Sequence, residues 1–310
     1  MQFNAITYLS PHFRDALLTF LCLAWFPTLA WSACEAPLPH MPRERGWCFG
    51  LAGNADADYS GTGMPNEFFM AERRFSGAFF ERHGHNRQFL LGLDYGYRNY
   101  DPDEPFGPNL DLYTLTLEPQ WVVQGDKREW LLRLGLSRAT SSNRNTHADV
   151  KADELFAAIT LVTRQPLGPR QRLVLGVAHD QLFGGAHTYP LAGLETSLNS
   201  QWQLGLVLPA PYARWRGQSR WSGQIYLQPA GSRWFVLDGN SGREFEASAR
   251  DMRLSGMLRR RLGRRWEIEG TLGISFNRSL STRAGDGRLV SGSLDTAPFG
   301  ALSLHHRPHD

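Results

Sequence analysis

Residues 266–277 read WEIEGTLGISFN, and this stretch decides the fold. Trp266, Ile268, Leu272, Ile274 and Phe276 share one parity; Glu267, Glu269, Thr271, Gly273, Ser275 and Asn277 share the other. Successive side chains of a β-strand point to opposite faces, so strict alternation predicts a strand with one greasy face and one wet face. The same pattern recurs upstream. In residues 88–100, Phe89, Leu91, Leu93, Tyr95 and Tyr97 oppose Leu90, Gly92, Asp94, Gly96 and Arg98. In residues 111–124, Tyr113, Leu115, Leu117, Trp121 and Val123 oppose Thr114, Thr116, Glu118 and Gln120. Trp130, Leu132, Leu134 and Leu136 oppose Arg133, Gly135 and Ser137.

A single such strand suits a soluble sandwich or a membrane barrel equally well. The breaks between strands separate the two. Tight breaks fall at 83–86, 125–127, 167–170, 199–200, 217–219 and 262–264. Longer polar breaks alternate with them at 60–66, 101–110, 139–152, 181–188, 237–242 and 279–295, with Pro209–Pro211 as a short exception. Bacterial outer-membrane barrels have short periplasmic turns and longer external loops. The rhythm predicts an all-β fold, a single antiparallel up-and-down transmembrane β-barrel of about 14 strands, with 12 as the alternative if the stretch at 47–59 or the Pro209 turn fails. Trp121, Trp130, Trp202, Trp215, Trp221 and Trp266 all lie close to tight breaks. Rings with one polar edge collect at headgroup level, so these six are expected to form an interface girdle. One strand slips phase: Phe245, Ala247 and Ala249 alternate in step, then Met252, Leu254 and Leu258 take the other parity. A β-bulge near Arg250–Asp251 would restore the facing.

Organisation follows from the N-terminus. Residues 16–30, ALLTFLCLAWFPTLA, form an apolar run too short for a helical span and suited to a secretion signal. The expected division is a signal peptide at 1–32, a Pro-rich linker at 33–45, the barrel at 46–307 and a tail at 308–310. The linker reads as too short to plug a wide barrel. Cys22 falls within the signal; Cys34 and Cys48 remain as a pair able to form a disulfide in an oxidising periplasm. Mean hydropathy is −0.37, as a barrel with polar lumen and loops allows. Net charge is +3, too small to argue for nucleic acid. Only Lys127 and Lys151 are lysines among the 33 basic residues. Genome composition or arginine contacts to lipid phosphates would account for that bias.

The segment YPLAGL at 189–194, a tight turn, then WQLGL at 202–206 ending on Leu208-Pro209, resembles a family of uncharacterised outer-membrane β-barrel proteins of Gram-negative bacteria. The resemblance covers roughly residues 45–307. It implies an outer-membrane barrel, and it carries over no substrate and no catalytic residues. One departure is the end of the chain, LSLHHRPHD at 302–310. Many outer-membrane barrels finish on an aromatic residue read by the insertion machinery, and that residue is missing here.

Candidate chemistry is sparse. Ser141, Ser142 and Asn143 with His147 make the nearest approach to a hydrolase cluster, at no recognised spacing. His179, Asp180 and His187 flank Gly184-Gly185 as a weak metal candidate, and His305, His306 and His309 form a His-rich end. The wet faces are richer. Asp94, Arg98, Glu118, Arg133, Arg164, Glu267 and Glu269 are expected to point into the lumen, because a basic residue facing lipid at midplane costs about 2–4 kcal/mol. They either pair across the wall or line a wet path. The sequence therefore predicts an outer-membrane barrel without an evident catalytic site or cofactor, structural or a passive small-solute pore. The alternatives are a lipid-modifying enzyme and a soluble secreted β-sandwich that binds a ligand. Expected partners are outer-membrane lipid and lipopolysaccharide, the barrel assembly machinery and a small solute.

Overall fold

The computed structural model describes residues 34, 38–43, 45–60, 67–102, 110–145, 154–218, 220–238, 242–284 and 289–307. The expected signal peptide, the tail, His147 and His309 lie outside them. Among the described residues the chain forms β1 (Trp47–Ser60), β2 (Glu67–His83), β3 (Arg87–Pro102), β4 (Leu110–Gln124), β5 (Glu129–Ser141), a one-turn helix α1 (Ser142–Asn145), β6 (Leu155–Pro166), β7 (Gln171–Asp180) and β8 (His187–Ser197). There follow β9 (Trp202–Leu208), β10 (Tyr212–Arg216), β11 (Trp221–Pro229), β12 (Ser232–Leu237), β13 (Glu244–Arg261), β14 (Trp266–Ala284), β15 (Leu289–Leu294) and β16 (Ala297–His306).

Strands consecutive in sequence pair antiparallel except β11 with β12 and β15 with β16, and β1 closes the sheet on β16 from Trp47↔His306 to Asn54↔Phe299. β11 pairs with one half of β13 and β12 with the other, so β11 and β12 are one span broken at residues 230–231. β15 and β16 pair successively with β14 and likewise make one span, broken at residues 295–296. The result is a closed 14-strand barrel. β9 and β10 form a true hairpin across residues 209–211, so the short Pro209 turn is a turn and not a kink.

The apolar parity faces outward through the half of the barrel that carries the tight turns. Leu117, Leu136, Ile159, Leu175, Leu194, Leu258, Leu272 and Leu302 are all exposed on the outer wall. A soluble sandwich would have buried them. Through this half, closure leaves no unpaired strand edge among the described residues, which is the condition for a sheet to cross hydrocarbon. The band is bounded on one side by the tight-turn tryptophans and on the other by Tyr95, Tyr97 and Tyr113, whose rings lie 5.1–6.3 Å apart. Tyr113 and Trp121 are eight residues apart on β4, about 27 Å along a strand. At the usual tilt this is about 20 Å of height, close to the apolar band of such barrels.

At the loop end the arrangement reverses. The β5–β6 ladder stops at Arg138↔Leu155, and two residues further on β12 meets the freed edge of β5 in a single parallel pair, Phe235↔Thr140. β12, β13, β14, β15, β1, β2, β3, β4 and β5 thereby close a narrower ring above the shorter strands β6–β11. Its interior is dry: Met70, Tyr100, Leu112, Trp234, Val236, Ala247 and Leu280 are buried together. Its outer parity carries Asn99, Asp111, Glu244, Glu246, Arg250 and Arg283. This cap is built like a small soluble barrel, polar outside and apolar inside. Each large apolar side chain it buries contributes about 1.5–3 kcal/mol.

Three expectations need correction here. The phase slip in β13 is not a bulge in that strand. Phe245, Ala247 and Ala249 pack into the cap, whereas Leu254 and Leu258 face outward below it, because what the outer wall meets changes between the two levels. The register does shift between Arg250 and Met252, but the extra residue lies in β14, where Asn277 takes a positive φ of 50°. Residues 279–295, expected as one long loop, are largely the β14–β15 hairpin of the cap. Finally, the Pro-rich stretch before β1 is no free linker, because residues 38–43 sit inside the barrel.

Candidate functional site

Strand alternation aims every second residue of the lower half at the interior. Charges held there, out of bulk water, must find partners to offset their desolvation. Glu118 on β4 lies 3.7 Å from Arg133 on β5, and Arg98 on β3 lies 3.3 Å from Glu72 on β2. Asp94 on β3 lies 3.6 Å from Arg74. Arg164 on β6 pairs with Glu129 and stands 3.7 Å from Glu195 on β8. Glu269 on β14 is 2.6 Å from Arg259 and 3.3 Å from His305, and Glu267 is 3.4 Å from Arg261 and 3.2 Å from Arg307. All seven charges singled out in the sequence thus face inward, but they form separate clusters along the wall rather than one centre.

The N-terminal segment joins two of these clusters. Arg43 pairs with Asp94, lies 3.1 Å from Glu118, and donates at 3.0 Å to the Ser76 hydroxyl. Its backbone N–H donates at 2.8 Å to Gln120. Arg133 donates to the Met41 carbonyl and Arg164 to the His40 carbonyl. Leu38 and Met41 pack with Tyr212 and Tyr226 in a small apolar cluster. His40 is fully buried, its ring stacked on Tyr212 at 5.7 Å. Burial first, then the charges of Arg164, Arg133 and Arg214, lower its pKa to about 3, so the imidazole is neutral. Tyr212 in turn lies flat on Gly205, where any Cβ would stand 2.1 Å from the ring. This gives the WQLGL stretch its structural meaning. A disulfide between Cys34 and Cys48, the latter on β1, ties the segment to the wall. Below it a cavity of about 160 Å³ opens at the tight-turn end, lined in part by Met41, Arg214, Tyr226 and Glu269.

The remaining candidates do not assemble. Ser141 accepts a hydrogen bond from the Leu237 N–H at 3.1 Å and so helps hold β12 on β5. His179 shares a 2.8 Å hydrogen bond with Thr188, and Asp180 accepts from Tyr189 at 2.5 Å and from the Leu182 N–H at 3.0 Å. No group of three potential metal ligands occurs among the described residues. Trp121, Trp130, Trp202, Trp215, Trp221 and Trp266 lie on the outer parity near the tight turns. Sequence reasoning missed His40, Met41 and Arg43, although RER at 43–45, three residues before Cys48, was a readable signal. It also missed Trp234, whose indole N–H donates at 3.1 Å to Thr114 across the cap and whose ring sits 5.9 Å from Tyr100.

No family model matches the sequence, and no curated protein matches it. Among solved structures the chain is similar to an outer-membrane channel from Pseudomonas putida F1, with TM-score 0.46 and 8% identity over 88% of this chain and 99% of that one. It is similar to a Pseudomonas aeruginosa FadL homologue, with TM-score 0.43 and 10% identity over 85% and 89%. The KdgM porin gives TM-score 0.37 and 8% identity over 84% and 99%. Similarities this weak add nothing to the reading of the interior.

Proposed function

We propose that the protein is a non-enzymatic channel of a Gram-negative outer membrane, tight turns toward the periplasm, that rests shut. The lower lumen is polar and would fill with water if opened. It is closed from outside by the dry cap and occupied from the periplasmic side by residues 38–43. A permanently open passive pore does not fit this interior. The observation that carries a gated reading is the β5–β12 seam. Where the other seams of the cap are antiparallel ladders, this one is a single parallel pair, Phe235↔Thr140, helped by the 3.1 Å Leu237–Ser141 and 3.3 Å Asn143–Leu237 hydrogen bonds and by Trp234. The β12–β13 hairpin is the element placed to swing.

Single-channel recording in planar bilayers tests this. The intact protein should be silent apart from rare openings. Trp234→Ala removes the cap's largest buried side chain and Arg43→Ala loosens residues 38–43; the two together should give steady conductance. A cross-link between cysteines placed at Phe235 and Thr140 should abolish it. If the combined variant folds and stays silent, the barrel is a filled structural element and the channel reading fails.

A further inference from the structure

A groove of about 480 Å³ runs along the lipid-facing wall from β9 to β14. Trp215, Ile225, Leu258 and Leu272 wall it, and Gly256 and Gly270 leave its floor as bare backbone. Nothing lies within 4 Å of where a Gly270 Cβ would stand, and a Gly256 Cβ would meet only the Leu272 carbonyl oxygen, at 3.8 Å. These glycines are not demanded by a neighbouring side chain; what they do is keep a channel open on the outer surface. In hydrocarbon its filling is an acyl chain.

The rim beneath the groove supplies a second, independent feature. Arg260 is two residues on from Leu258 on the same face of β13, about 7 Å further along, with its guanidinium 5.2 Å from the Trp221 ring centre. The β13–β14 turn adds Arg264 and Arg265. Arg220 lies at the adjoining end of the β10–β11 turn, opposite Arg261, whose N–H donates to its carbonyl at 2.8 Å. All four side chains are exposed, and among the described residues none has a carboxylate partner. Many arginines of this barrel pair with acid, and others at the tight-turn rim, such as Arg170 and Arg172, do not; what sets these four apart is that they lie on the turns and strand ends bordering the groove. A planar guanidinium fork suits phosphate oxygens, and basic residues at a membrane surface draw anionic lipid.

We propose that the groove and this rim together bind one phospholipid of net negative charge, its headgroup on Arg220, Arg260, Arg264 and Arg265 and an acyl chain over Gly256 and Gly270. Charge complementarity selects a lipid over a neutral partner. The continuity of the rim with an apolar groove on the outer wall selects it over a soluble anion.

Native mass spectrometry of the full chain in non-ionic detergent, with added phosphatidylglycerol or phosphatidylcholine, tests this. Phosphatidylglycerol should be retained one per barrel and at least about tenfold more strongly than phosphatidylcholine. Each arginine near an anionic surface is worth about fivefold, so Arg220→Gln with Arg264→Gln and Arg265→Gln should weaken retention about a hundredfold. Gly256→Leu with Gly270→Leu should lower it with the arginines intact. Arg170→Gln with Arg172→Gln, at the β6–β7 turn, should change nothing. Equal retention of the two lipids, or an equal loss from the Arg170 and Arg172 pair, would show diffuse attraction to the rim and overturn the site. Unchanged retention in the glycine variant would overturn the groove. Should that variant lose its heat-modifiable band, the arginine sets alone decide.

Discussion

Arg43 Nε stands 3.1 Å from Glu118 Oε1, so a residue from the Pro-rich N-terminal stretch completes an ion pair in the barrel wall. The same guanidinium holds Asp94. Removing one partner of a buried cluster leaves the others uncompensated, typically at 3–5 kcal/mol. Arg74 and Arg133 remain near the two carboxylates and soften the loss. Arg43→Ala should therefore weaken docking of the segment by about 3 kcal/mol, and Arg43→Lys, which keeps charge but not the fork, by less. Hydrogen exchange of residues 38–43 measures the change. Unaltered protection in Arg43→Ala would show that the ion pairs do not hold the segment.

His40 gives that docking a pH dependence. Its docked pKa is about 3, whereas a released histidine titrates near 6.5. The released state therefore binds the extra proton, so docking is at full strength above about pH 6.5 and weakens as pH falls toward 3. At pH 5 the loss is about 2 kcal/mol. The groups facing the ring are Arg133 on β5, Arg164 on β6, and Arg214 and Tyr212 on β10, with Glu129 and Glu195 pairing with Arg164. His40→Phe keeps the stacking and should flatten the profile between pH 7 and 5. An imidazole that titrates near 6.5 in the folded protein, followed by NMR, would refute this.

The Cys34–Cys48 bond closes a loop with a sequence separation of 14 around the docked residues. A loop of this length is worth about 3 kcal/mol in the chain-entropy account. Cys34→Ser with Cys48→Ser should leave the heat-modifiable barrel band unchanged, since the strand ladders do not depend on the bond, while trypsin gains access to the peptide after Arg43. Loss of the barrel band would mean that the bond supports the wall itself.

Much of this architecture was legible because the membrane imposes one rule on every strand. Residues such as Leu132, Ile274 and Leu302 must face out, and short turns must join one end. That rule found the strands and the tight turns of the lower half. It failed where its premise failed. In the cap the solvent outside is water, so Phe245 and Ala247 obey the opposite rule, and a change of environment reads as a phase error. Arg43 and His40 escaped notice because a short Pro-rich stretch ordinarily reads as a solvated linker, and only the positions of Asp94, Glu118 and Tyr212 in space show what receives it. The pairing of Arg164 with Glu195 was equally out of reach, since it depends on two strands that are not neighbours in the sheet.

β14 solves the same change of environment differently, and this makes Asn277 a sharp test. Below it the even-numbered residues Leu272 and Ile274 face lipid; above it the even-numbered Leu280 faces the cap core. The extra residue at the register shift reverses the facing, and Asn277 carries the φ of 50° that the shift requires. Asparagine tolerates the left-handed region and glycine tolerates it better, whereas a β-branched residue does not. Asn277→Gly should be nearly neutral, and Asn277→Val should cost about 1–3 kcal/mol. If valine instead expelled the bulge, a one-residue slip would turn Leu280 to water and Ser279 into the core. The loss should then appear in the cap first, as faster hydrogen exchange across residues 279–284 with the lower ladder still protected. Equal stability of the valine and glycine variants would show that the backbone at this position is not fixed as described.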